Sequence, residues 1–315
     1  MNPRTGTNVP FCHDPVFPIF RLMEQMRLDA LAKINLTLRV LERRPDGYHR
    51  LRTVFQSIAL HDTLEFQVAP GPFTIECDDP SVPVDGRNLV WRAASLAWQA
   101  AGRPGEPTGV RVRLRKRIPA QGGLGGGSAD AAAAVAAFTR LWPAREGASS
   151  REAIARRLGA DVPFFLCGGT ALGEGRGDDV TPLADLPLRH VVLVFPPFGV
   201  PTAEAYGWLD EDRAAGKARA APRHALRLAD GAEVEVANDL EAPVVARHPE
   251  IGRARDALLA AGAEAAAMSG SGSAVFGLFP AEAAAAAAAE WLRSAGWRAA
   301  LSRTAGRERA LRFLV

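Results

Sequence analysis

The stretch "PAQGGLGGGSADAAAA", residues 119–134, places five glycines among six residues and then passes without a break into an alanine run. Glycine costs a helix about 1 kcal/mol per position relative to alanine, so the switch separates backbone kept bare from backbone made helical. A bare loop exposes several N–H groups with no side chains in the way. The helix behind it adds unpaired N–H groups and the positive end of its dipole. Together these predict a concave anion site suited to nucleotide phosphates. Taken alone, a glycine run is equally a flexible loop with a helix behind it. Spacing removes two familiar phosphate loops. A Walker A loop needs Lys and then Ser or Thr directly after its last glycine, whereas Gly127 is followed by Ser128 and Ala129. The pattern GxGxxG also fails, since the sixth position counted from Gly123 is Ser128.

Outward from this segment, "GVRVRLRKRIP" (109–119) alternates as a strand that feeds the glycines, and the helix they open runs from Ser128 to about Trp142. Further upstream, "LAKINLTLRVLER" (31–43), "DTLEFQVA" (62–69) and "FTIEC" (73–77) read as strands, with turn chemistry at Pro45, Asp46 and Gly47. "NLVWRAASLAWQAA" (88–101) has helical spacing at Leu89, Ala93, Leu96 and Ala97. Downstream, "SREAIARRLG" (150–159) is a short helix with Ser149 or Ser150 as cap and Gly159 as stop, and "HVVLVFPP" (190–197) is a buried strand. Residues 210–232 read as a long loop or irregular helix, and "AEAAAAAAAEWLRSAG" (281–296) as a helix. Strands come first and helices are interleaved, so the class expected is α+β.

The 315 residues suffice for two domains, and 48% hydrophobic with 23% charged residues describes a globular chain. A net charge of +3 without a concentrated basic block favours anionic small molecules over nucleic acid. Cys12, Cys77 and Cys167 are odd in number and far apart, which suggests neither a disulfide framework nor a zinc site and fits a reducing cytoplasm. No stretch of about 18 uninterrupted apolar residues occurs, so no membrane span is expected. Residues 1–26 lack the apolar core of a signal peptide and are expected to be a non-essential leader, followed by domains at 27–185 and 186–315.

The glycine segment resembles the P-x-x-x-G-L-G-G-G-S signature of the superfamily containing galactokinase, homoserine kinase, mevalonate kinase and phosphomevalonate kinase; Pro119, Gly123, Leu124, Gly125 and Ser128 match it. "AKINLTL" (32–38), "PDGYHRLRTVFQSI" (45–58), "LGADVPFF" (158–165), "NDLE" (238–241) and "MSGSGSAVFGLF" (268–279) follow the order seen in one member family. That family is the 4-diphosphocytidyl-2-C-methyl-D-erythritol kinases, and the resemblance runs from about residue 28 to 280. It implies a two-domain fold, with a ribosomal-protein-like ATP domain, a ferredoxin-like C-terminal domain and the active site in the cleft between them. It also implies ATP and Mg²⁺ as cofactors and a cytidyl small molecule as substrate, with no nucleic acid, no membrane and no obligate protein partner.

The resemblance assigns residues as well. Asp161, on its own an ordinary turn or cap residue, becomes the aspartate that orients and deprotonates the acceptor hydroxyl. Lys33, otherwise an edge charge on a strand, becomes its partner. Asn88 and Leu89 are implied beside adenine, with Lys116 in support. Pro119 and the run Gly122, Gly123, Leu124, Gly125, Gly126, Gly127, Ser128 and Ala129 would hold the phosphates. Ser128 is also a candidate Mg²⁺ ligand or helix cap, and Glu174 and Asp178 are candidate carboxylate ligands. Tyr48 and His49 would meet the cytosine, which Tyr206 covers from the other face, while Asn35 and Thr202 supply polar contacts. The "SGSG" turn at 269–272 is expected either to bring the second domain's backbone to the site or to be a plain turn. Leu31, Ala129 and Ser273 depart from the family's proline, serine and proline. Two other readings stay open: a homoserine- or mevalonate-type kinase, and an RNA-binding protein with salt-steep affinity.

Overall fold

The computed structural model describes residues 25–220 and 222–312. The expected leader lies outside the described residues through residue 24, and its last two residues, Gln25 and Met26, already belong to the first strand. Strands β1 (Gln25–Arg43) and β2 (His49–Pro72) form a long antiparallel hairpin whose turn carries the Pro45–Gly47 segment. Strand β3 (Thr74–Cys77), helix α1 (Leu89–Ala100), strand β4 (Thr108–Arg115) and helix α2 (Gly126–Leu141) follow. Next come α3 (Arg151–Leu158), α4 (Val162–Cys167), β5 (Thr170–Gly175), β6 (Asp179–Pro182) and β7 (His190–Val194). The remainder is α5 (Thr202–Ala214), β8 (His224–Arg227), β9 (Glu233–Asn238), α6 (Glu241–Arg247), α7 (Pro249–Ala260), β10 (Ala265–Met268), β11 (Val275–Phe279), α8 (Glu282–Ser294), β12 (Ala299–Arg303) and α9 (Arg307–Ala310). The stretch 210–232 is thus divided between the end of α5, a connection and β8.

The first sheet has the order β3-β4-β2-β1-β9-β8, with β5 and β6 added beside the first half of β2. Its last two strands come from the second half of the chain, since β9 joins β1 in parallel at Thr37 and Leu38. The second sheet, β10-β11-β7-β12, is antiparallel throughout; with its crossover helices it is a ferredoxin-like βαββαβ unit. Strand β7 explains how the halves are joined. Val192 and Val194 face a core formed with the helices of the second half, whereas Val191 and Leu193 face one shared with Ala32, Ile34 and Leu36 of β1. A strand covered on both faces reads as an unbroken apolar run, which is what "VVLV" is.

Helix α2 is the buried axis of the N-terminal part, packed among α1, α3, α4 and the β1–β2 hairpin. Its alanines from Ala131 to Ala134, with Ala136 and Ala137, are almost fully buried. A helix surrounded on every side must be apolar all round, and small side chains let its neighbours approach. The same alanine run therefore supplies helix propensity and close packing, and it fixes where the glycines at its N-terminus stand.

Candidate active site

The β1–β2 register is interrupted between Leu31 and Lys33 and again between Asn35 and Thr37. Across the first interruption the inward residues change core: Met26, Leu28 and Ala30 pack against the helices, Ala32, Ile34 and Leu36 against the second sheet. Lys33 and Asn35 are thereby turned into the cleft. The freed N–H of Lys33 donates to Leu124 O at 3.0 Å, tying the lysine's strand to the glycine loop. Lys33 Nζ donates to Asn35 Oδ1 at 2.6 Å and stands 3.6 Å from Asp161 Oδ2. Asn35 is anchored in turn through its Nδ2 to Thr53 Oγ1 (2.7 Å), whose hydroxyl donates to Thr37 O. Burial pushes the Lys33 ammonium below the ordinary lysine range, and the neighbouring Asp161 carboxylate opposes that shift.

Asp161 stands at the start of α4 but makes no capping bond to it, and its side chain is 36% exposed while that of Lys33 is 4% exposed. One member of the pair is fixed in the wall and the other is open to a ligand. Turn and cap statistics favour a capping role for such an aspartate; here the carboxylate is turned to the lysine instead.

The loop owes its glycines to close approaches. Gly123 has φ 71°, and a Cβ there would lie 1.9 Å from Ser269 O in the second half of the chain. At Gly125, with φ 73°, a Cβ would lie 2.7 Å from the Phe165 ring and 3.2 Å from Lys33 Cγ. Helix α2 begins right after Gly125, two residues earlier than Ser128, and no side chain caps it. The first-turn N–H groups of Gly126, Gly127 and Ser128 therefore lack intrahelical acceptors, and these residues line the cavity. Ala129 departs from the expected phosphate contacts: its N–H donates to Gly125 O (2.9 Å) and its methyl group belongs to the core.

The "SGSG" turn reaches the site, with Gly270, Ser271 and Gly272 in the cavity wall. Asn238 of "NDLE" holds it by donating to Met268 O (2.8 Å) and Gly270 O (2.7 Å), and buried Glu241 accepts from Met268 N (2.7 Å). Ser269 Oγ donates to Gly123 O at 2.9 Å. These buried polar groups clamp the second half onto the glycine loop.

On the nucleotide side, Asn88 and Leu89 line the cavity, but Asn88 spends its side chain on structure, capping α1 at Val90 N (2.9 Å) and donating to Pro83 O (2.7 Å). Lys116 Nζ bridges two buried carboxylates, Asp130 at 2.6 Å and Asp62. Burial works against the Lys116 charge, yet Asp130 and Asp62 raise it above the ordinary lysine range. Burial, with Asp62 adding to it against the pull of Lys116, pushes Asp130 up to about 7, and its Oδ1 has no partner. Asp62 and Asp130 were not singled out in the sequence; a lone Asp inside an alanine helix was the available signal.

At the other end, Thr202 and Tyr206 of α5 line the cavity, with Thr202 Oγ1 3.1 Å from Ser271 Oγ. The Tyr206 ring stacks on His49 with centroids 5.5 Å apart and 19° between planes. His49 Nε2 meets Asp210 Oδ1 at 2.9 Å, a partner that the sequence did not reveal. Burial, with a contribution from Asp161, raises the Tyr206 hydroxyl above the ordinary tyrosine range. Neither Tyr48, 63% exposed, nor His49, buried behind the Tyr206 ring, lines the cavity, so the two do not face Tyr206 across a gap for a base. Glu174 is exposed on β5, and Asp178 is bound to Arg176 at 2.7 Å. Among the described residues no group of three or more His, Cys, Asp or Glu is gathered to hold a metal, and no helix is long and apolar enough to cross a membrane.

A βαββαβ unit clamped against an uncapped, glycine-opened helix, with a Lys–Asp pair in the cleft, is the arrangement of a GHMP-type kinase. Residues 88–169 match the family model for the GHMP kinases N terminal domain, and residues 210–296 that for the GHMP kinases C terminal. The chain is 46% identical over 253 residues to the 4-diphosphocytidyl-2-C-methyl-D-erythritol kinase of Pelotomaculum thermopropionicum, covering 79% of this chain and 87% of that protein. It is 40% identical over 284 residues to the enzyme of that name from Geobacter sulfurreducens, covering 90% and 100%. A crystal structure of 4-(cytidine 5'-diphospho)-2C-methyl-D-erythritol kinase superposes with a TM-score of 0.69 at 39% identity, over 89% of this chain and all of that one. The homoserine kinase of Cytophaga hutchinsonii shares the fold at 18% identity, with a TM-score of 0.60 over 92% of this chain and 97% of its own. The chain belongs to the 4-diphosphocytidyl-2-C-methyl-D-erythritol kinase family, and it is an ATP-dependent small-molecule kinase.

Proposed function

We propose that the protein transfers the γ-phosphoryl group of ATP to the 2-hydroxyl of 4-diphosphocytidyl-2-C-methyl-D-erythritol, a step of the non-mevalonate route to isoprenoid precursors. The observation that carries this reading is one continuous cavity holding the unsatisfied amides of α2, the Lys33–Asp161 pair and Tyr206. Gly126, Gly127 and Ser128 receive the phosphates through their N–H groups and the helix dipole. Asp161 aligns the acceptor hydroxyl and takes its proton as the new P–O bond forms. The bond from the γ-phosphorus to the bridging oxygen breaks, and ADP leaves. Lys33, held by Asn35, pairs with Asp161 and meets charge developing on the transferring oxygens. Tyr206, backed by the stacked His49 ring, offers a ring face in the cavity for the cytosine.

The donors present fit a Mg²⁺ ion brought in on the nucleotide. Such an ion is held largely by phosphates and water, with few protein ligands, and Ser128 is a hydroxyl facing the cavity on the first turn of α2. Its chemistry there is charge neutralisation between the phosphates. Both substrates are small molecules of the cytoplasm, and all these residues come from one chain.

The test is ADP release by the purified protein with the cytidyl substrate, homoserine and mevalonate as alternative acceptors. Turnover with the cytidyl substrate alone is expected. Preference for either of the others would overturn the assignment.

A further inference from the structure

Away from the catalytic cleft, the β1–β2 hairpin and the C-terminal segment enclose a cavity of about 600 Å³ that shares no lining residue with it. Four guanidiniums, those of Arg27, Arg303, Arg309 and Arg312, line it against a single carboxylate, Asp29. That carboxylate is already engaged by the Thr63 hydroxyl at 3.1 Å, with Arg27 and His61 further off at 3.9 and 3.7 Å. Among the described residues, the guanidiniums of Arg303, Arg309 and Arg312 have neither an ion pair nor a hydrogen bond. Surface arginines elsewhere in the molecule commonly find acids, as Arg189 finds Glu264 and Arg247 finds Glu211 and Asp212. A second cavity of about 350 Å³ shares Ala59, His61 and Arg303 with it and adds Arg117 and His190, together with one carboxylate, Glu282.

The position of the cluster is fixed by the fold. The irregular stretch of β2 at Ile58–Leu60 is stitched to the end of β12, where Ile58 bridges Thr304, Leu60 N donates to Ser302 Oγ at 3.0 Å and Ala305 N donates to Ser57 O at 2.8 Å. Arg303 is carried on that seam, and α9 brings Arg309 to it. Like charges held together in a concavity raise the potential there and favour an anion that neutralises them. Burial and the charges of Arg303 and Arg312 already lower the Arg309 guanidinium below its ordinary range.

We infer that this cavity is a second anion-binding site, separate from the kinase centre, and that it takes the diphosphate group of a small molecule. Three unpaired guanidiniums match the charge of one diphosphate, and guanidinium forks suit phosphoryl oxygens in pairs. The enclosed volume suits a small ligand better than a nucleic-acid strand.

The test is calorimetric titration of the full chain with inorganic pyrophosphate at low ionic strength, with and without a saturating non-hydrolysable ATP analogue to fill the catalytic cleft. One pyrophosphate per chain is expected to bind with the analogue present. Arg309→Gln and Arg303→Gln should each weaken it about tenfold or more, and Arg309→Lys less. Kinase turnover without pyrophosphate should be unchanged in all three, and unfolding midpoints check that they fold. Parallel titrations with a short alkyl diphosphate and a nucleoside diphosphate identify the source: equal affinities mean that the group is read whatever carries it, while preference for one carrier names the ligand. Loss of all binding once the analogue is present would overturn the inference, as would affinity unaltered by both glutamine variants. Tighter binding of single-stranded RNA with a steep salt slope would reassign the surface to nucleic acid and overturn it too.

Discussion

The two ends of the catalytic cleft are built by different means. At the end we assign to the nucleotide the recognition groups are backbone amides of one continuous segment, Gly122 to Ser128, held by Gly123 against Ser269 and by Gly125 against Phe165 and Lys33. At the end we assign to the cytidyl group they are side chains, Thr202 and Tyr206 on α5, with His49 of β2 stacked behind Tyr206 and Asp210 behind His49. Phosphates carry charge that bare amides can bind, and those amides need only a helix terminus and room to approach. A base is read by ring faces and polar edges, which only side chains supply. The first end therefore concentrates its constraint at Gly123 and Gly125, and the second spreads its contribution over several side chains.

The largest expected effect falls between the two ends. Asp161→Asn should lower kcat by about a thousandfold in steady-state turnover, while nucleotide affinity measured by calorimetry stays within roughly threefold. Near-normal turnover would remove Asp161 as the base. Next comes Gly123→Ala, which sharpens the contrast by adding one carbon where there is no space. Its Cβ would fall 1.9 Å from Ser269 O, so the loop or the second half must shift. A loss of about 3 kcal/mol in denaturant unfolding, with a raised KM for ATP, is expected. Tyr206→Ala probes the other end alone: KM for the cytidyl substrate should rise about tenfold with KM for ATP unchanged. Equal changes in both constants would break the division proposed here.

Smaller effects concern the pair and the rim. Lys33 is buried, and burial depresses its pKa against the pull of Asp161. A group with a depressed folded pKa contributes stability above its unfolded value and loses it as pH falls through the folded one. In the unliganded protein, stability from this site should thus grow as pH rises from the depressed Lys33 pKa toward the ordinary lysine range. Lys33→Met should abolish that slope and, near neutral pH, stabilise the fold by about 1 kcal/mol while turnover is lost. Thermal unfolding against pH checks the sign. Tyr48→Ala, at a residue 63% exposed outside the cavity wall, should change KM for the cytidyl substrate less than Tyr206→Ala does. A larger change would show that Tyr48 closes over the base once substrate binds.

The same division governs what the sequence disclosed. The glycine loop, α2 and the double-faced β7 are local patterns, each visible as spacing, propensity or an unbroken apolar run, whereas the "NDLE" clamp is legible only through family resemblance. The Lys33–Asp161 pair was legible only through family resemblance, because 128 positions separate its members and each alone resembles an ordinary surface charge. The start of α2 was placed two residues late, since glycine propensity argued for loop where tertiary packing imposed helix. The place of Ala129 among the phosphate contacts rests on the resemblance alone, and its methyl group belongs to the core. Asp62, Asp210 and Thr53 are not legible because their partners come from remote segments, and for Asp130 the lone acid within the alanine run is the one local signal.

The most direct measurement is a crystal structure with a non-hydrolysable ATP analogue and the cytidyl substrate together. The terminal phosphate should rest on the amides of Gly126 to Ser128, and the acceptor hydroxyl about 3 Å from the Asp161 carboxylate and in line with that phosphate. A triphosphate bound away from the α2 terminus, or an acceptor hydroxyl out of reach of Asp161, would contradict the account.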